Sequence, residues 1–81
     1  MDDTGILRRI SALIEREHQL RTARESGGAT GHAELRELAD AEIQLDQCWD
    51  LLRQRRAKRE FGRDPGQAEP RPPSVVEHYW Q

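Results

Sequence analysis

AEIQLDQCWDLLRQRRAKR, residues 41–59, has no glycine, no proline and a single β-branched residue, Ile43, so it is strongly helical. At 100° per residue, Leu38, Leu45, Trp49 and Leu52 share a narrow arc. Their steps of three and four are those of a coiled-coil seam. The charges are segregated as well. Residues 32–52 carry one basic and six acidic side chains, net −5, whereas residues 53–59 carry five basic and no acidic ones, net +5. Acid before base suits the helix macrodipole.

A second amphipathic segment precedes this one. Ile6, Ile10, Leu13 and Leu20 recur at helical spacing after Asp3 or Thr4, either of which can cap a helix. Gly27-Gly28 ends it near Ser26, and Thr30 offers a cap for the next helix, which should run from about His32 to Phe61 and stop at Gly62. A short loop between two such helices favours an antiparallel hairpin.

Facing residues of an antiparallel pair have position numbers with a constant sum. Ile6 with Leu52, Leu13 with Leu45 and Leu20 with Leu38 each give 58, and Ile10 with Trp49 gives 59. One register therefore satisfies every apolar layer. It places Glu17 and Glu42 in the same layer, and it leaves Arg53–Phe61 projecting beyond the first helix.

After Gly62 the composition changes. Residues 63–73 hold all four prolines and resist regular structure. Asp64-Pro65 can start one helical turn, and Ser74 with Glu77 has capping-box spacing for a short terminal helix. The expected organisation is all-α: a two-helix hairpin over residues 1–62, then a Pro-rich tail, residues 63–81, that ends in a docking helix.

The residues carry little chemistry. Glu15 and His18 have the spacing of a di-iron Glu-x-x-His motif but point away from the seam, so no metal site is expected. Glu17 and Glu42 read as a polar layer with Arg21 at hand rather than as acid/base machinery. Cys48 lies on the flank of the seam between Asp46 and Asp50, acids that disfavour a thiolate, and reads as a packing residue. With one cysteine there is no internal disulfide, and a reducing compartment follows. No apolar run is long enough to span a membrane, and the acidic start does not resemble a signal peptide. No catalytic residue and no cofactor are expected, and a cytoplasmic location is.

The run Leu45-Asp-Gln-Cys-Trp-Asp-Leu-Leu-Arg-Gln-Arg-Arg-Ala57, followed by Gly62, Asp64-Pro65 and Arg71-Pro-Pro-Ser-Val-Val-Glu77, resembles a small actinobacterial family catalogued as domain of unknown function 2630. The resemblance implies a short bacterial cytoplasmic protein and brings no activity, cofactor or mapped site.

Only 35% of the 81 residues are hydrophobic, so a two-helix monomer is short of core. The leading expectation is a non-enzymatic interaction module that self-associates, as a dimer, through Ile43, Leu51, Val75, Val76, Tyr79 and Trp80. A protein partner at the C-terminal half also fits this surface. The alternative is a nucleic-acid-associated factor in which Arg53, Arg55, Arg56, Lys58 and Arg59 contact phosphates.

Overall fold

The computed structural model describes residues 2–25 and 31–76. Among them every regular element is helical: α1 (Asp3–Glu25), α2 (His32–Glu60), one 3-10 turn (Pro65–Gln67) and α3 (Pro73–Val76). α1 and α2 form the hairpin, and the segment after α2 folds back along α2.

The helix ends follow local chemistry. Asp2, one residue earlier than expected, caps α1: its Oδ1 accepts from Gly5 N at 2.8 Å. α2 starts after Gly31, and Thr30 lies outside the described residues. It closes in a Schellman arrangement, with Arg63 N donating to Lys58 O at 2.7 Å and Gly62 N to Arg59 O at 3.2 Å. Gly62 has φ 69°, a left-handed conformation that suits glycine. Asp64 caps the 3-10 turn by accepting from Gly66 N at 2.9 Å, with Pro65 in the first position.

The core sits at the end of the hairpin away from the loop. Ile6, Ile10 and Cys48 are its buried centre, and Leu13, Leu45, Leu51 and Leu52 pack against them. The sequence placed Trp49 opposite Ile10 and Cys48 on the flank. The structure reverses these roles: Cys48 is 4% exposed and Trp49 is 40% exposed. Ile10 and Cys48 sum to 58, so the register stands and only the occupant changes. The seam runs through Ala41, Leu45, Cys48 and Leu52, and the two small residues among them, Ala41 and Cys48, are the buried ones. An indole in place of Cys48 would overfill a close helix contact.

The basic end of α2 is also less free than its sequence suggested. It does not project alone, because Arg55 Nε reaches Asp3 Oδ1 at 2.5 Å and Arg59 Nη2 reaches Asp3 Oδ2 at 3.0 Å. Arg55 further donates to the carbonyl of Pro65 at 3.1 Å. Two arginines one turn apart thus clamp the start of α1, and Arg55 also meets the returning tail.

Candidate interaction surface

Cross-helix polar pairs mark the two flanks of the hairpin. On one flank Arg9 bonds Gln44 and Arg16 bonds Glu37, pairs whose position numbers sum to 53. On the other, Arg21 bonds Glu42 at 2.9 Å, a sum of 63. These sums bracket the seam value of 58. Steps of seven stay on one flank, so the 63 row continues with Ile14 level with Trp49 and Leu7 level with Arg56.

The tail covers α2 next to the 53 row. Gln47 donates to the carbonyl of Arg71 at 3.0 Å, and Gln54 donates to the carbonyl of Glu69 at 2.8 Å. The physical need is plain. A Pro-rich segment has few N–H groups and no ladder, so its carbonyls need side-chain donors. Between the two glutamines Asp50 is fully buried; its Oδ2 takes an ion pair from Arg71 at 3.1 Å and a hydrogen bond from Gln54 at 2.8 Å. Val76 is fully buried as well. The gap left under the tail, about 350 Å³, is lined by Arg9, Gln44, Cys48, Leu51, Ala68 and Pro70 among others.

Among the described residues no comparable cover lies on the 63 row. Leu7 is 48% exposed, Ile14 is 52% exposed, and Trp49 walls a shallow cleft with Glu17, Arg21 and Glu42. Arg21 bridges the expected acid layer, bonding Glu17 at 3.2 Å as well as Glu42. A cation between two carboxylates removes their mutual repulsion, which is the polar-layer reading of this pair.

The residues expected to bind a partner are thereby divided. Leu51 packs against the core and Ile43 is half-buried; Val76 is buried and Val75 exposed, while Tyr79 and Trp80 lie outside the described residues. At 100° per residue Leu51 lies on the far side of α2 from the seam, yet the tail turns that side into part of the interior. Of the basic set, Arg55 and Arg59 are committed to Asp3, and Arg56 pairs with Glu60 at 3.1 Å. Arg53 is exposed, and Lys58 lines a cleft beside Phe61 and Arg63. Leu7 and Ile14, seven residues apart on one side of the α1 seam, were the sequence signal for the exposed flank.

Two groups have shifted titration. The hydrogen bond from Arg55, then that from Arg59, hold the Asp3 carboxyl below its ordinary 3.8. Burial pushes the Cys48 thiol up, partly offset by the nearby Arg9. A protonated thiol in the core is a packing group rather than a nucleophile. Among the described residues no group of His, Cys, Asp and Glu is placed to hold a metal ion, and no helix is long and apolar enough to cross a membrane.

What the geometry defines is a small all-α class of protein, a helical hairpin clamped on one flank by its own Pro-rich tail. The chain belongs to the family described as Protein of unknown function (DUF2630), whose family model matches residues 2–81. It is 47% identical over 77 residues to an uncharacterized protein of Mycobacterium tuberculosis, Rv0898c, and equally to one of Mycobacterium bovis, Mb0922c. In each case the match covers 95% of this chain and 88% of the relative. No solved structure matches it.

Proposed function

We propose that this protein is a non-enzymatic helical module that works by self-association, as a dimer in the bacterial cytoplasm. The observation that carries the reading is the row of Leu7, Ile14 and Trp49, each 40–52% exposed on one flank. Three large apolar side chains in one row are a surface suited to a protein contact rather than scattered exposure. Area supports it too. A compact monomer of 9.4 kDa exposes about 5,000 Å². This chain exposes 5938 Å². A lone reduced cysteine fits the cytoplasm. Sedimentation equilibrium on the full chain tests the reading. The wild type should associate reversibly, and Ile14→Glu should be a folded monomer. Unchanged association in Ile14→Glu would refute it.

A second reading keeps nucleic acid as the ligand. It is favoured by one cleft at the end of α2, where Lys58, Arg63 and Arg71 surround the 79% exposed Phe61 with no acid among the lining residues. A ring beside cations suits a stacked base and its phosphates. Sub-micromolar binding of single strands at ~150 mM salt, lost in Lys58→Ala and Phe61→Ala, would put this reading first.

A further inference from the structure

Resting on the self-association reading, we propose that the partner is a second copy of this chain, docked α2 against α2 in antiparallel fashion about a two-fold axis at Trp49. Three observations converge on this geometry. First, the exposed row of α2 steps by seven through Leu35, Glu42, Trp49 and Arg56. A two-fold axis at Trp49 pairs positions that sum to 98, so Glu42 faces Arg56 of the second copy, and the reverse, on both sides of the axis. Second, both side chains are available: Glu42 is 50% and Arg56 is 79% exposed, and each is steadied from within its own chain, by Arg21 and Glu60 respectively. Third, residues 32–52 are net −5 and residues 53–59 net +5. An antiparallel copy lays the acidic half of one α2 against the basic end of the other, whereas a parallel copy superposes like charges.

The apolar part of the contact is self-complementary, as a two-fold interface requires. Trp49 meets Trp49 of the second copy at the axis, with Ile14 of each chain beside it. Leu7 extends the patch toward Arg56, whose aliphatic stem can cover apolar surface while its guanidinium reaches Glu42 of the other chain. The described part of the tail, residues 63–76, docks beside the other flank.

Disulfide trapping tests the geometry on the full-length chain. Glu42→Cys and Arg56→Cys are prepared separately. Cys48 is buried and protonated, so it does not compete. In a mixture, Cys at 42 of one chain faces Cys at 56 of the other, and the remaining Glu42–Arg56 pair is kept. Within a dimer of either variant alone, the two new thiols sit about 21 Å apart along the helices, too far to bridge. The expected result is roughly tenfold more disulfide-linked dimer in the mixture than in either variant alone. If the wild type associates but the mixture shows no excess, the two-fold geometry is overturned and the flank reading stands. If the wild type sediments as a 9.4 kDa monomer at ~100 μM, both fail.

Discussion

The two flanks of this hairpin begin with similar resources and end in opposite states. On the covered flank Gln47, Asp50, Leu51 and Gln54 give α2 donors, a carboxylate and an apolar side chain, and the tail uses all of them. On the open flank Leu7, Ile14 and Trp49 give apolar surface, crossed by the ion pair Arg21–Glu42. The difference lies in what an irregular segment needs. A Pro-rich chain docks where side chains can satisfy its carbonyls; a smooth apolar row with few donors suits a helix whose backbone is already satisfied. The tail therefore adds the buried Val76 and a cover of Ala68 and Pro70 beside Leu51, and it spends the donor-rich side in doing so.

The largest effect should come from breaking the covered flank at its centre. Leu51→Glu sets a charge against Ile6, Ile10 and Cys48, at a cost of several kcal/mol, comparable with the whole stability of so small a domain. Circular dichroism should show loss of cooperative unfolding. Arg71→Ala comes next. It strips the buried Asp50 of its cation, and because Arg71 is itself 43% exposed the loss should be about 2 kcal/mol, below that of a fully buried pair. Urea titration measures it, and faster alkylation of Cys48 should report the loosened tail.

Much of the fold was legible before the structure. The two helices, the sum of 58, the stop at Gly62 and the turn at Asp64-Pro65 all follow from spacing and turn chemistry. Even the misplaced Trp49 left a trace, since Ile10 with Trp49 is the one apolar pairing that misses the sum, and Cys48 restores it. Apolar size favoured tryptophan, whereas close packing favoured the smaller side chain. The covered flank was not legible for a different reason. Gln47, Asp50 and Gln54 look like a solvated polar stripe, and nothing in helical periodicity says that a segment 15–24 residues on will lay its carbonyls there. For the same reason helical periodicity alone sets Leu51 on an outer face of α2.

Smaller effects refine the contrast at its edges. Asp3 has a depressed carboxyl pKa, so its clamp contributes fully above the unfolded value near 4 and is lost as pH falls through the lower folded value. Asp3→Asn should lower stability by a small, constant amount above about pH 4 and flatten the acid limb by that same amount, as read by melting temperature against pH. Ile14→Glu and Trp49→Glu should each cost the monomer about 1 kcal/mol, since only about half of each side chain is covered. Their larger effect should appear in association.

The proposal requires that one flank is closed by the tail and that the other receives a second copy. Dilution of the isotope-labelled full chain, followed by amide and indole N–H resonances, tests it most directly. Between about 500 and 20 μM the account predicts shifts along Leu7–Ile14, Glu42–Arg56 and the Trp49 indole, with Gln67–Arg71 unmoved. Shifts centred on Gln47, Gln54 and the tail carbonyl segment, with Leu7, Ile14 and Trp49 silent, would contradict it.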